Sequence, residues 1–341
     1  MSSDASPQHM RFLYTVASLY HLEGKTQMDI ADLLSVSRSK VLRALQEARA
    51  QGIVQITVVD PSETNASLAA ELESRLGLHK AIVVAGHPSD PAFTRQRVGH
   101  AAAAHLSETL PADATVGLGW GRTLYSVSLA LEPKASRNVR VIPLLGGLGK
   151  IAPSFQVHDM ARVMSEKLGG SWTTFFVPAL VDSREAYDSL LASTDVKEVT
   201  AAWRDLDVAV IGIGNIDLGE DVQMLFADYL DDRAVGELQA AGAVGDVCMR
   251  FFDAAGEPVS GAMPYLFSIE LEQVRAIPRV IAAACGASKA AAILGAANGR
   301  YFDTLVTDDA AAREIVRLHE SAKTDGGTAP EAGTRAARSE A

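Results

Sequence analysis

The sequence predicts a two-part chain: a winged helix-turn-helix over residues 10–60 and an α/β domain over residues 61–319, built on a doubly wound, mostly parallel sheet. Three observations predict it. Residues 25–52, KTQMDIADLLSVSRSKVLRALQEARAQG, have helical periodicity broken at Ser35-Val36-Ser37. Beyond Leu76, short and mostly apolar runs alternate with helical stretches, the pattern of a parallel sheet covered on both faces. Three of those runs end in glycine-rich turns.

Composition bounds the function. Of 341 residues, 48% are apolar, enough for a large core, and the formal charge of −11 excludes a generally basic nucleic-acid coat while allowing a locally basic element. The only cysteines, Cys248 and Cys285, lie far apart and fit no metal spacing, as expected of small buried residues in a reducing compartment. The polar start MSSDASPQHM lacks the apolar core of a signal peptide. The most apolar run, Pro278–Leu294, is interrupted by Arg279 and Lys289, so no membrane span is expected and the location is read as cytoplasmic.

Residues 1–9 read as a disordered lead, and Met10–His21 as a helix packing through Phe12, Tyr14, Val16 and Leu19. Thr26 is placed to cap the next helix, with Asp29 as its capping-box partner and Ile30, Leu33 and Leu34 as a core face. Ser37 is placed to cap the helix after it, which Gly52 ends, and Val41, Leu42, Leu45 and Ala48 form its apolar stripe. The first exposed turn is then Arg38, Ser39 and Lys40, with Arg43 one turn on. From Ser37 to Gln51 four cations stand against the single carboxylate of Glu47, a local +3 in an acidic chain. In a helix-turn-helix the second helix lies in the major groove with its first turn against the bases, which explains the break and the Ser-Arg-Ser-Lys start. The alternative is a helical hairpin with a solvated basic face. Gln27, Ser37, Arg38, Ser39, Lys40 and Arg43 form the candidate DNA-facing set. The alternating run Ile53–Val59 would be the wing, and Asp60-Pro61-Ser62 a break before a helix over Thr64–Leu76.

Expected strands follow at Ala81–Val84, Thr115–Leu118, Val139–Leu144, Thr173–Val177, Val208–Ile213, Val280–Ala284 and Thr304–Thr307. The helices between them are read at Phe93–Leu106, Leu124–Leu131, Val157–Leu168, Ser183–Leu191, Val196–Leu206 and Ser288–Ala297. Met249–Phe252 and Glu257–Val259 read as a small hairpin, Asp308-Asp309 as a helix cap, and residues 320–341 as a disordered tail without large apolar residues.

Gly117-Leu118-Gly119-Trp120-Gly121-Arg122-Thr123 runs from a strand through a glycine turn into a helix, where N–H groups attract anions and glycine lets a ligand approach. It is not a dinucleotide fingerprint, because its third glycine comes one residue early. Leu145–Gly149, with Gly147, and Ile211–Asn215, with Gly214, are similar turns. Read singly, each glycine merely closes a turn; gathered at one crevice, they would mark a ligand site at the strand ends of an open sheet. No H-x-x-x-H, C-x-x-C or G-x-S-x-G occurs, so neither a metal, nor a cofactor, nor a nucleophilic catalytic residue is expected.

Several motifs together resemble the SorC family of sugar-responsive bacterial transcription regulators. They are LYHLEGKTQMDIADLLSVSRSKVLRALQEARAQGIVQITV, VGLGWGRTL, VIPLLGGLG, VAVIGIGNI, GAVGDVCMRFFDAAGEPV and IAAACGASKAAAILGAANGRYFDTLVTDDAAA, in that order across residues 10–319. The resemblance implies an effector domain similar to the ribose-phosphate isomerase and glucosamine-phosphate deaminase fold that binds sugars, polyols or sugar phosphates without turnover. It implies that Gly119, Trp120, Gly121, Arg122 and Thr123 wrap the phosphate or an end hydroxyl. It implies that Asp246 accepts from sugar hydroxyls and that Lys289 donates to the ligand. Asp246 as a surface turn residue and Lys289 as a solvated helix-start charge are the plain alternatives. Many phosphate-binding relatives carry more hydroxyl residues in the first loop; Trp120 and Arg122 stand there here, which leaves phosphorylation of the effector open. The partners implied are double-stranded operator DNA, the small molecule, and further copies of the chain in a homodimer or homotetramer, since one reading helix covers a half-site. The alternative is a sugar-phosphate isomerase or deaminase with an added N-terminal module, in which Asp246 and Lys289 would serve as acid and base.

Overall fold

The computed structural model describes residues 7–54, 65–133, 138–148, 156–216, 232–259 and 265–325. The chain divides into two compact units, Met1–Asp60 and Pro61–Ala341.

The first unit holds α1 (Pro7–His21), α2 (Gln27–Leu33) and α3 (Arg38–Ala50). Proline at its first position lets α1 start three residues earlier than the sequence suggested, so Pro7–His9 belong to the helix, and the His9 ring reaches Glu47 at 2.8 Å. Thr26 Oγ1 accepts the Asp29 N–H at 3.2 Å while Asp29 Oδ2 accepts the Thr26 N–H at 3.0 Å, closing the expected capping box on α2. Ser37 Oγ caps α3 by accepting the Lys40 N–H at 3.3 Å. The turn between them places Ser35 at φ 50°, a left-handed conformation that non-glycine residues adopt at a cost.

Leu13, Val16, Ala17, Leu19, Ile30, Ala31, Val41, Ala44, Leu45 and Ala48 form the core of this unit. Of the expected core residues, Phe12 and Leu34 are only partly buried against it and three are exposed: Tyr14 is 62% exposed, Leu33 59% and Leu42 44%. Each helical residue turns by about 100°, so the stripe Val41-Ala44-Leu45-Ala48 points one way and Leu42 roughly a quarter turn aside. Small alanines at 31 and 44 take the inward places that the larger leucines were expected to fill. Ile53 and Val54 form a bend rather than a strand start, and the Val54 N–H closes back on the Ala48 carbonyl at 3.0 Å. The remainder of the expected wing, Gln55–Val59, and the break at 60–62 lie outside the described residues.

The second unit is built on seven parallel strands: β1 (Lys80–Val84), β2 (Thr115–Leu118), β3 (Arg140–Pro143), β4 (Ser171–Trp172), β5 (Val208–Ile211), β10 (Arg279–Ala283) and β11 (Thr304–Asp308). Their order is β1-β11-β10-β5-β2-β3-β4, and every neighbouring pair is parallel. All four residues of β5 and all five of β11 are buried, so both faces of the sheet are covered there. The described helices of this unit are α4 (Ala66–Leu76), α5 (Pro91–Thr109), α6 (Arg122–Ala130), α7 (Val157–Leu168), α8 (Arg184–Ala192), α9 (Thr194–Ala202), α10 (Asp232–Ala240), α11 (Leu271–Ala276), α12 (Ala290–Asn298) and α13 (Asp309–Asp325). From β2 the chain builds outward through β3 to β4; from β5 it builds the other way through β10 to β11. The order therefore reverses between β2 and β5, which pair in register from Val116↔Val208 to Leu118↔Val210.

Two expectations need correction, and a third, the small hairpin, holds and is extended. Thr173–Val177 is not a strand: after β4 the backbone leaves the sheet, burying Phe175 edge-on against Trp203 while Phe176 stays 80% exposed. The small hairpin, β8 (Arg250–Asp253) with β9 (Pro258–Val259), belongs to a four-stranded antiparallel sheet with β6 (Gly214–Asn215) and β7 (Ala243–Val247). The tail is helical through Asp325, where α13 continues past residue 319 and Arg75 meets Glu320 at 2.7 Å; residues 326–341 lie outside the described set. Among the described residues no helix is long and apolar enough to cross a membrane.

Candidate functional site

Two groups of candidate residues emerge, one in each unit. On α3, residues 38, 39, 40, 42 and 43 are all exposed, while Val41, Ala44, Leu45 and Ala48 hold the helix to its neighbours. Ser37 spends its hydroxyl on the cap and on Ser39 Oγ at 3.0 Å. Lys40 lies over the Phe12 ring, 5.1 Å from its centroid, and the Arg43 Nε–H donates to the Ser39 carbonyl at 3.4 Å. Gln27 opens α2 half-exposed. The helix thus presents guanidinium and hydroxyl groups on a frame that packs without them.

The second group gathers where the strand order reverses. Open α/β sheets bind ligands at such a point, outside the carboxyl ends of the strands. The loop after β2 carries Gly119 to Thr123, the loop after β5 carries Gly212 to Asn215, and the loop after β10 carries Cys285 to Lys289. The Gly119 N–H donates to the Val210 carbonyl at 2.9 Å, tying the start of the first loop to β5. Thr123 Oγ1 lies 4.0 Å from Cys285 Sγ, and the Asn215 amide donates to the Ser288 carbonyl at 3.4 Å. Gly121 stands at φ 127° with open space where a side chain would project, and no side chain caps α6. A helix N-terminus that follows a glycine turn favours an anion or a hydroxyl oxygen.

Asp246 enters from the antiparallel sheet. It is 4% exposed, and its Oδ2 accepts the Met249 N–H at 2.9 Å. That bond pins a two-residue turn in which Cys248 and Met249 both have positive φ, 51° and 66°. Ser268 Oγ–H donates to the Cys248 carbonyl at 2.7 Å and holds the same turn from another side. Strain held by surrounding bonds is a property of functional sites. Gly214 pairs with Asp246 across β6 and β7, and a Cβ on Gly214 would stand 1.8 Å from Asp246 Oδ1. The glycine is therefore what lets the carboxylate lie beside the β5 loop.

Lys289 closes the cluster, its Nζ donating to the Ile213 carbonyl at 2.7 Å. Burial pushes the Asp246 carboxyl up to about 6, against the Met249 N–H and the positive field of Lys289. Burial lowers the Lys289 ammonium; the fields of Cys285 and Asp246 oppose this, and Arg122 and Arg95 reinforce it. A carboxyl and an amine whose charged forms are both disfavoured gain from a polar ligand that hydrogen-bonds them in place of water.

The other expected residues have further neighbours of their own, and the charge of Arg122 acts on Lys289. Trp120 is 9% exposed and packs in the main core. Arg122 lines a cavity of about 320 Å³ between α5 and α6, with Arg95, Gln96, His100, Tyr125 and Ser126. Gly147 sits against His158, Gln156 and Val177. Gly149 lies outside the described residues. Cys248 is buried as expected, while Cys285 is half-buried beside Thr123. Asp308 does more than cap a helix. It accepts the Ala310 and Ala311 N–H groups at 3.2 and 3.4 Å and the Gly286 N–H at 2.6 Å, tying the Lys289 loop to β11. Its place in Thr307-Asp308-Asp309 gave the capping half of that role; the reach to Gly286 depends on β10 pairing with β11. Among the described residues no three His, Cys, Asp or Glu side chains gather to hold a metal.

Fold and site together define a class: a helical unit exposing a cationic helix, joined to an α/β unit with a buried polar cluster at its switch point. Residues 60–317 match the protein family described as "Putative sugar-binding domain". The deoxyribonucleoside regulator of Bacillus subtilis is 30% identical over 302 residues, 88% of this chain and 95% of that protein. The sorbitol operon regulator of Klebsiella pneumoniae is 28% identical over 311 residues, 90% of this chain and 98% of its own length. The crystal structure of full-length SorC from Klebsiella pneumoniae superposes with a TM-score of 0.71 at 29% identity, over 93% of this chain and all of the other. The chain belongs to the SorC family of transcription regulators.

Proposed function

We propose that this regulator binds operator DNA through a winged helix-turn-helix and that a sugar, polyol or sugar phosphate in the switch-point crevice controls that binding. The observation that carries the reading is the meeting of Gly214, Asp246, Lys289 and the Gly119–Thr123 loop at one point of the sheet. Asp246 accepts ligand hydroxyls, Lys289 and Thr123 donate, and the open N-terminus of α6 receives the most electronegative end. Arg38, Ser39, Lys40 and Arg43 face the DNA, with Gln27 and Ser37 at the flanking helix starts. The named roles of the relatives, regulators of a sorbitol operon and of deoxyribonucleosides, support a carbohydrate-linked effector. The protein acts in the cytoplasm as a dimer or tetramer, and the domain, akin to the ribose-phosphate isomerases and glucosamine-phosphate deaminases, binds without catalysing.

A thermal-shift screen of the whole protein against pentoses, hexoses, polyols and their phosphates tests this. A ligand at ~100 times its Kd stabilises by roughly 2.7 kcal/mol. Stabilisation by one class, lost in Lys289→Ala, is the expected result. Absence of any shift contradicts the crevice assignment. The buried acid beside an amine also suits an isomerase or deaminase, so substantial turnover of any stabilising phosphate would overturn the regulator-only reading.

A further inference from the structure

On the exposed face of α3 a large aliphatic side chain stands among cations. Leu42 is 44% exposed, one turn past Arg38 and Ser39, next to Arg43 and one turn before Gln46, all of them exposed. Single surface leucines are ordinary, so exposure alone decides nothing. Place decides it. The inward stripe of α3 is already filled by Val41, Ala44, Leu45 and Ala48, and Leu42 lies outside it. It occupies the fifth position of a helix whose first turn carries the guanidinium of Arg38 and the hydroxyl of Ser39. A side chain there, on the face that bears these donors, reaches the floor of a major groove if the donors reach its edges. The one apolar feature that groove offers is the 5-methyl of thymine. The surrounding positive charge matches phosphate and disfavours a second copy of the same cationic face.

We propose that Leu42 is a specificity-determining residue that reads a thymine methyl in each half-site. The inference rests on the DNA-binding reading of α3. Arg38 and Arg43 supply affinity and purine contacts; Leu42 selects thymine over cytosine by burying its side chain against the methyl group.

The test uses duplexes enriched from a random pool by the full-length protein. Each thymine of the enriched site is replaced in turn by deoxyuridine, which removes the methyl and leaves the Watson–Crick edge intact. Wild type is expected to lose roughly fivefold in affinity at one thymine per half-site. Leu42→Ala is expected to bind the thymine site more weakly, keep the wild-type Tm, and no longer distinguish thymine from deoxyuridine there. If Leu42→Ala retains wild-type affinity and deoxyuridine sensitivity while Arg38→Ala loses binding, the Leu42 assignment fails and the DNA-binding reading stands. If no duplex is enriched, or Arg38→Ala binds as wild type does, the reading of α3 fails and Leu42 falls with it.

Discussion

The two units build their working surfaces in opposite ways. On α3 Arg38 and Arg43 project from a helix whose core and cap use other groups, Ser37 alone serving both as cap and as candidate contact, so function sits largely on top of the fold. At the switch point, Asp246, Lys289 and Gly214 are themselves structural: the carboxylate pins a strained turn, the ammonium satisfies the Ile213 carbonyl, and the glycine makes room for the carboxylate. The difference teaches that loss of function should separate from loss of stability in the first unit and not in the second.

The largest expected effect tests the separable side. Arg38→Ala with Arg43→Ala should weaken binding to an enriched operator by roughly 2–6 kcal/mol if the two contacts add. The Tm should move little, since exposed substitutions change stability by only about 0.5 kcal/mol. A large fall in Tm in the double variant would break the comparison.

Asp246→Ala tests the inseparable side. It strands the buried Met249 N–H, which costs about 1–3 kcal/mol, and should also abolish the ligand-induced shift. Unchanged stability by urea unfolding would mean that the Cys248-Met249 turn holds without its carboxylate.

Acid sharpens the contrast, because Asp246 in the second unit and Asp29 in the first are shifted in opposite directions. Asp246 is raised to about 6, so between pH 4 and 6 the folded state binds more protons than the unfolded one. Its contribution is fully present below the ordinary value of 3.8 and is lost as pH rises through about 6; Asp246→Asn should flatten that slope. Asp29 is lowered by the Thr26 hydroxyl and then by the Thr26 N–H, so its contribution is present above 3.8 and fades as pH falls through the lowered value. Unfolding followed separately in each unit from pH 4 to 7 should show the second losing stability upward while Asp29 holds its contribution in the first.

The smallest effect concerns Ser35. Glycine adopts φ 50° without penalty, so Ser35→Gly should stabilise the first unit by about 1 kcal/mol and leave the second unchanged. A destabilised variant would show that the hydroxyl, or the lower chain entropy of serine, outweighs the strain.

What could be read from sequence follows the same division. The capping box and the Ser37 cap are local, and so were legible. Parallel strands were legible because both faces are buried and the runs are nearly all apolar. The crevice was legible only as parts, because β2 and β5 become neighbours across some ninety residues of chain and nothing in either run encodes that pairing. β7 was missed because Gly245 and Asp246 interrupt its apolar pattern, although they are the residues the site uses. Thr173–Val177 misled because alternating apolar residues can be buried from irregular backbone. Leu42 misled because its apolar character suggested a core place that Ala44 takes.

The most direct test of the account is the affinity of the full-length protein for its enriched operator, measured by fluorescence anisotropy with and without whichever sugar or sugar phosphate raises the Tm. Coupling between sites is typically 1–3 kcal/mol. The account predicts a change in Kd of roughly tenfold in wild type, and none in Lys289→Ala, which should keep the ligand-free Kd. An operator Kd indifferent to a ligand that demonstrably binds the crevice would contradict it.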